Sequence, residues 1–477
     1  MNKNRVRTFI VIVCLIVLTG AAMAYSSNKG KGAFPNWITT RPHHQSSTRG
    51  IVNISGHLVQ NKILQGSRGH VNLSITLQAD EVLDQEAKES RSVNMVIVLD
   101  RSGSMKGRKI AHARQAVLEL LSGLSAKDRF ALVAYSDKVR ILSNLQSVTG
   151  AYLEHMESVV RNIKAGGGTN LGAGLEAGIN LVLSGTQTGN AAKVILISDG
   201  LANKGITDPQ SLGDIASVAQ ENEFAVSTVG VGVDFNEYMM NTIADKGNGN
   251  YYYLENPSAF AEVFQKEFSF SRTTAATGVS VYIPLIAGMT LVDAAGYPIR
   301  HQNNYAVFHP GDLGSGQTRT LFLTLRIPSD RERNFHMGTI KVRYRYESKP
   351  YEVSLDESFR IACVRNRKAV LSSIDKKEWT EKVLREDFNK LKQEIAGDIK
   401  AGKKGHAMDR LERYYDEQES INAVVGSKKV YKNLNEDIKQ LRSVVQSTFQ
   451  GAPSAVEKKQ KENAKSLQFD GYRGRRR

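Results

Sequence analysis

The chain has 477 residues, a length that points to about three domains rather than one core. Its formal charge of +16 favours acidic surfaces such as phospholipid, anionic polysaccharide or acidic protein segments, and no DNA- or RNA-binding motif accompanies it, which excludes nucleic-acid recognition. Two cysteines, Cys14 and Cys363, exclude a disulfide-built scaffold, and a core of this size can do without one.

At the start of the chain, Lys3, Arg5 and Arg7 precede the apolar run Phe9 to Leu18, and small residues ending in Ala22-Met23-Ala24 follow. This is the order of a secretory signal with an AxA-like site before Tyr25. The alternative is an uncleaved membrane anchor, with Thr8 to Ala24 at the lower length limit for spanning. Residues 1–24 therefore read as a signal peptide or N-terminal anchor, and either reading exports the rest to the periplasm or cell surface. Cys14 has no lipoprotein-type surroundings. Residues 25–50 are Gly/Pro/Ser-rich and read as a linker, in which the adjacent His43 and His44 are solvated rather than a metal pair. Over 51–92, VNISGHLVQNKILQ and HVNLSITLQA alternate polar and apolar residues as strands do.

From residue 93 the pattern changes to apolar runs alternating with amphipathic segments. Met95 to Leu99 reads as a buried strand, Ile110 to Leu121 as a helix, and Phe130 to Tyr135 and Val139 to Leu142 as short strands. Helices over Tyr152 to Ile163 and Leu171 to Leu183 follow, then a strand at Val194 to Ile197 and a helix from Pro209 to Asn222. Phe224 to Val231, Glu237 to Lys246, Tyr251 to Leu254 and Ser258 to Phe268 continue the alternation. It specifies an α/β domain over 93–270, a doubly wound, mostly parallel sheet with helices on both faces.

Five residues of this region read as one divalent-metal site: Asp100, Ser102 and Ser104 in VIVLDRSGSM, Thr169 in AGGGTN, and Asp199 in VILISDG. Asp100 and Asp199 end apolar strands, where open α/β sheets bind ligands. A hard cation such as Mg²⁺ takes about six oxygen ligands. Two carboxylates and three hydroxyls leave room for an acidic ligand from outside. At these residues the chain resembles the von Willebrand factor A domain, whose metal-ion-dependent adhesion site has the pattern DxSxS, then T, then D. The resemblance covers about 93–270, with GVGVDFNEYMM and IADKGNGNYYYL resembling exported bacterial members, and extends more loosely to inter-alpha-trypsin inhibitor heavy chains. It implies a Rossmann-like fold, Mg²⁺ (or Mn²⁺ or Ca²⁺) held by the five residues, and a protein partner whose exposed Asp or Glu completes the coordination.

Competing motifs are weaker. Gly172-Ala-Gly174-Leu-Glu-Ala177 fits a dinucleotide fingerprint on paper but follows a loop instead of a strand, so close helix packing is the better use of its glycines. There is no GxxxxGK[ST], HExxH or GxSxG. Asp100 to Lys109 lacks the glutamate that closes a calcium-binding EF-hand loop. His112 belongs to a helix surface or boundary, and no nucleophile with a paired base emerges.

Residues 271–364 return to β-type alternation in VSVYIPLI, RTLFLTLRIP, GTIKVRYRYE and FRIACV, where Cys363 reads as a buried small hydrophobe. Together with 51–92 they form a β-sandwich into which the α/β domain is inserted. Over 365–450, Leu384, Phe388, Leu391, Ile395 and Ile399 give one helical stripe, Met408, Leu411 and Tyr415 a second, and Val430, Leu434, Ile438, Leu441 and Val445 a third, as in a helical hairpin or bundle. Residues 451–477 have few apolar side chains, end in Arg473, Arg475, Arg476 and Arg477, and read as a disordered basic tail facing an acidic envelope surface.

The whole reads as an exported, non-enzymatic, metal-dependent binding or adhesion module. A structural scaffold with a stabilising metal is the alternative, and a metal-assisted hydrolase would need a general base that the sequence does not offer.

Overall fold

The computed structural model describes residues 44–82, 92–185, 191–199, 202–222, 224–232, 234–254, 259–286, 288–347, 349–355 and 359–476. The expected signal or anchor and most of the expected linker, including His43, lie outside these residues. Among the described residues, no helix is long and apolar enough to cross a membrane.

Four strands precede the α/β domain: β1 (His44–Arg49), β2 (Val52–Leu58), β3 (Lys62–Leu64) and β4 (His70–Ala79). The linker expectation therefore runs too far, because His44–Arg49 pairs antiparallel with β2 across a tight turn. Gly50 sits in that turn at φ +65°, which reverses the chain without a Cβ clash. Edge pairing uses backbone groups alone, so a polar stretch without alternation can join a sheet.

The inserted domain follows as β5 (Val93–Asp100), α1 (Arg108–Gly123), β6 (Arg129–Tyr135), β7 (Val139–Ser147), α2 (Gly150–Arg161), α3 (Leu171–Gly185), β8 (Ala191–Ser198), α4 (Pro209–Glu221), β9 (Phe224–Val231), α5 (Glu237–Lys246), β10 (Asn248–Leu254) and α6 (Ala259–Thr273). Its six strands form one sheet in the order β10-β9-β8-β5-β6-β7. All pairs are parallel except β6 with the edge strand β7. Every residue of β5 is buried because helices cover both faces. Met95, Ile97 and Leu99 pack with Ile110, Val117 and Met156 on one side, and Val96 and Val98 with Leu175, Ile179 and Leu212 on the other. A continuous apolar run is what a parallel strand covered on both faces requires. The glycines of α3 serve packing: a Cβ at Gly174 would lie 2.6 Å from the Tyr135 ring, and one at Gly178 would lie 2.3 Å from the Val98 side chain. Asp128, fully buried, holds the two ends of the domain together. Its carboxylate accepts from Val93 N at 2.9 Å, where β5 begins, and from the Arg272 guanidinium at 2.7 Å, where α6 ends.

The chain then passes directly into β11 (Thr274–Pro284), β12 (Thr290–Ala294), β13 (Arg300–Gln302), β14 (Tyr305–Phe308), β15 (Leu313–Gly314), β16 (Thr318–Arg326), β17 (Arg333–His336), β18 (Ile340–Tyr346), β19 (Lys349–Leu355) and β20 (Arg360–Val364). The two flanks share sheets. One has the order β1-β2-β4-β16-β12, a second β13-β14-β11-β18-β19 with β15 on β11, and a small third β17-β20-β3. β4 and β16 pair from His70↔Arg326 to Gln78↔Thr318. Leu73, Leu77, Leu323, Val342 and Phe359 meet in one core. Cys363 is free and buried there.

His309 in this sandwich has Nδ1 2.9 Å from Ser280 Oγ. Burial, reinforced by Arg300, pushes its pKa down from 6.5 to about 4. As pH falls through 6.5 the unfolded chain takes up a proton first, so stability is lost between pH 6.5 and about 4. His309→Asn is expected to flatten the fall in Tm across that window, read by thermal unfolding at a series of pH values.

The helical region comprises α7 (Arg367–Leu371), α8 (Lys376–Lys382), a π-helical turn at Val383–Asp387, α9 (Phe388–Lys400), α10 (Lys404–Val425), α11 (Lys428–Asn435), α12 (Asp437–Thr448) and α13 (Pro453–Arg475). Val383, Ile395, Leu411, Leu434 and Leu441 form its core together with Val59 of the first flank. The expected disordered tail is a correction: α13 is a helix of 23 residues. Of its few apolar side chains, Leu467 and Tyr472 are buried and Val456 and Phe469 half-buried. Lys465 pairs with Glu237 at 2.7 Å, Arg475 with Asp293 at 2.7 Å and with Glu386, and Arg476 with Asp245. Small residues bring α13 close to α9: a Cβ at Gly471 would lie 2.5 Å from the Asn389 carbonyl oxygen. Arg475 and Arg476 are thus internal counter-ions, not a charged surface.

Candidate functional site

The register pairs Leu99 of β5 with Ile197 of β8, so Asp100 and the Ser198-Asp199 pair leave the sheet side by side. β6 lies on one flank of β5 and β8 on the other, which makes this the switch-point crevice of the sheet. Asp100 accepts from Ser102 N at 2.7 Å through one carboxylate oxygen and from Ser198 Oγ at 2.7 Å through the other. The first bond is an Asx-type turn that folds the chain back over the strand end. The Ser102 and Ser104 hydroxyls are 3.0 Å apart, and Ser104 Oγ donates to Asp199 Oδ1 at 2.8 Å. The other Asp199 oxygen accepts from the Lys109 ammonium at the start of α1. Asp100, Ser102, Thr169 and Asp199 are buried, while Ser104 is exposed and marks the mouth of the site.

Thr169 reaches the same crevice through its loop. Gly166 N donates to Arg101 O at 2.7 Å and Gly103 N to Gly167 O at 2.9 Å. Thr169 N donates to Asn203 Oδ1 at 2.9 Å, and Asn203 N returns a bond to Thr169 O at 3.1 Å. Gly168 N donates to Asp137 at 2.9 Å. Gly167, at φ +88°, has no room for a side chain: its Cβ would lie 2.2 Å from the Asp137 carboxylate. Four of the five expected residues are therefore joined by one hydrogen-bonded chain. Thr169 is held beside them by backbone bonds, and among the described residues its hydroxyl makes no hydrogen bond to the other four. The sequence reading missed Lys109, Ser198, Asn203 and Asp137. Of these only Ser198, directly before Asp199 at a strand end, carried a positional signal.

Burial pushes the Asp100 carboxyl above the usual range, the Ser102 backbone bond opposes this, and the Asp199 charge adds to it. Two carboxylates against one ammonium leave the crevice with an excess of negative charge. Its hydroxyl and carboxylate oxygens form an all-oxygen donor set of the kind that hard divalent cations take. Among the described residues, no group of three or more His, Cys, Asp or Glu side chains is placed to hold a metal. An ion in this crevice would have to use the serine and threonine oxygens.

A doubly wound domain with polar side chains converging at its switch point, carried on a sandwich with a helical extension, defines a class of modular binding proteins. Residues 94–266 match the family model of the von Willebrand factor type A domain, and this part of the chain is such a domain. Domains of the family typically mediate protein–protein interactions. The chain is 33% identical over 252 residues to YfbK of Escherichia coli (strain K12), an alignment covering 51% of this chain and 43% of YfbK. It is 29% identical over 162 residues to inter-alpha-trypsin inhibitor heavy chain H4 of Homo sapiens, covering 33% of this chain and 17% of that protein. The chain thus spans less than half the length of either relative. Among solved structures, the von Willebrand factor type A protein from Catenulispora acidiphila aligns over 89% of this chain and 98% of its own, with TM-score 0.63 and 18% identity. That likeness concerns the fold, and it extends beyond the central domain into the flanks and helices.

Proposed function

We propose that this is an exported protein-binding module in which Asp100, Ser102, Ser104, Thr169 and Asp199 hold a divalent cation, and that a partner's aspartate or glutamate binds there. The observation that supports this reading is the Ser104 hydroxyl. Exposed at the mouth, it touches both Ser102 and Asp199 and so draws oxygens from two strand ends to one point. When bound, the ion supplies a Lewis-acidic coordination point for a partner carboxylate. The chain's own residues set the charge balance. One net negative charge in the crevice would be reversed by a divalent cation, and one incoming carboxylate would restore neutrality.

The test is capture of envelope proteins by the mature chain with Mg²⁺, with EDTA, and with Ser104→Ala or Asp100→Ala plus Mg²⁺. A partner retained in the first condition alone is the expected result. Ser104→Ala is included because its exposed side chain is expected to leave the fold intact, whereas Asp100 also accepts one hydrogen bond that orders the turn and one from Ser198 of β8. Identical capture in every condition would sink the reading and move recognition to the sandwich or the helices.

Lys109 has a second consequence. Its ammonium occupies Asp199 and opposes any other cation there. A charge-assisted hydrogen bond contributes about 1.5–3 kcal/mol. Lys109→Met is therefore expected to tighten Mg²⁺ binding by roughly ten- to a hundredfold, measured by isothermal titration calorimetry. Unchanged affinity would mean that the lysine does not compete.

A further inference from the structure

Four loops surround the crevice, made of residues 100–109, 136–140, 164–170, and Asp199 with 202–208. They are laced into one surface by the bonds between Gly166 and Arg101, Gly103 and Gly167, and Asn203 and Thr169. The Lys204–Asp137 pair at 2.6 Å adds to these. These loops hold eight lysines and arginines against four aspartates. Asp100 and Asp199 are committed to the crevice, Asp137 to Lys204 and Gly168, and Asp208 to the cap of α4. On the basic side, Lys204 is taken up by Asp137, while Lys106, Arg108, Lys138, Arg140 and Lys164 are all exposed. The remaining positive charge is a basic ring drawn from three separate loops that border one coordination point, and Ile206, 41% exposed on the fourth loop, offers an apolar contact beside it.

We infer that the partner of this face is an acid-rich polypeptide segment, in which the carboxylate that enters the crevice is flanked by further aspartates or glutamates read by the basic ring. This rests on the metal-site reading above and narrows it from any exposed carboxylate to a cluster of them. A field of one sign around a concave site raises the local concentration of an oppositely charged partner and its association rate. An anionic polymer would be satisfied by the charges alone. A polypeptide uses the coordination point and Ile206 as well.

The test uses two labelled peptides of equal length, one with a single glutamate among Gly and Ser, the other with that glutamate flanked by four Asp or Glu residues. Binding to the whole chain is read by fluorescence anisotropy in Mg²⁺ and in EDTA, at low and high salt. The expected result is a preference of about tenfold or more for the acid-rich peptide, reduced by salt and collapsed by Lys138→Glu with Arg140→Glu, both exposed positions. Equal affinities in Mg²⁺, or no binding of either peptide, would overturn the inference; the first of these leaves the metal reading standing. A preference that survives EDTA and Ser104→Ala unchanged would uphold the ring and overturn the metal reading instead. Heparin or anionic vesicles binding more tightly than the acid-rich peptide, independently of Mg²⁺ but dependent on Lys138 and Arg140, would overturn the assignment to a polypeptide.

Discussion

Lys193→Met is expected to destabilise the von Willebrand factor type A domain by about 3–5 kcal/mol, the cost of leaving one member of a buried ion pair alone. Glu267 of α6 is fully buried. It accepts from Lys193 Nζ of β8 at 2.6 Å, from Ser227 Oγ at 2.8 Å, from Asn250 Nδ2 at 2.8 Å and from the Tyr252 hydroxyl. Burial pushes this carboxyl up, but the Lys193 charge and these bonds outweigh it and hold the pKa below the usual value. The sign follows directly. In the native protein this contribution is present above the unfolded value of 4.5 and is lost as pH falls through the lowered folded value. Without Lys193 burial wins and the folded pKa rises, so the variant loses stability as pH rises out of the acid range. Thermal unfolding at pH 4 and pH 7 should therefore show a Tm deficit that is larger at pH 7. Adding Glu267→Gln, which removes the charge and keeps one acceptor oxygen for Asn250 and Tyr252, should recover most of it. A deficit equal at both pH values would show that the charge of Glu267 is not the cause.

Asp245→Ala is expected to release α13. Arg476 pairs with both oxygens of Asp245 and lies over the rings of Tyr472 and Tyr297, 4.0 and 4.1 Å from their centroids. Arginine does not deprotonate in proteins. Losing its partner would leave a guanidinium buried at a cost of about 3–5 kcal/mol. The helix is terminal, so it can avoid that cost by undocking. The measurement is limited trypsinolysis, because α13 carries four lysines, Lys458, Lys459, Lys461 and Lys465. Rapid cleavage within 453–475, with the remainder intact, is the expected outcome, and Asp245→Ala with Arg476→Met should restore protection in part. Unchanged protease resistance would show that the pair does not hold the helix.

The central sheet was legible because both faces of β5 and β8 are covered, which writes an unbroken apolar run into the sequence and marks its end with a polar residue. The crevice was legible for the same reason, since Asp100 is the first polar residue after its run and Asp199 follows Ser198 at the end of the other. What escaped is tertiary. Lys109 reaches Asp199 from the first turn of a helix, with no periodicity to announce it. Residues 451–477 show little apolar pattern because α13 is held by ion pairs to Glu237, Asp245, Asp293 and Glu386, and by the glycine at 471 that fits against Asn389. Charge counted along the chain gives no sign of whether its counter-ion is solvent or a carboxylate more than two hundred positions away. Residues 44–49 were hidden because an edge strand can be recruited by its backbone.

The Asp128 clasp bears on the order in which this polypeptide acquires its shape. Thr76 and Thr320, hydrogen-bonded across β4 and β16, are 244 positions apart. When β4 emerges during synthesis it can pair with β2, but its other partner, β16, does not yet exist, and such non-local pairing is intrinsically slow. Once the intervening residues fold, Asp128 holds Val93 and Arg272 together, and a long floppy connection becomes a short rigid one. The nascent sandwich would otherwise search for its register with open edges, the condition that invites misassembly. A carboxylate far from the crevice is thus expected to favour one sequence of assembly, inner module first and outer module second.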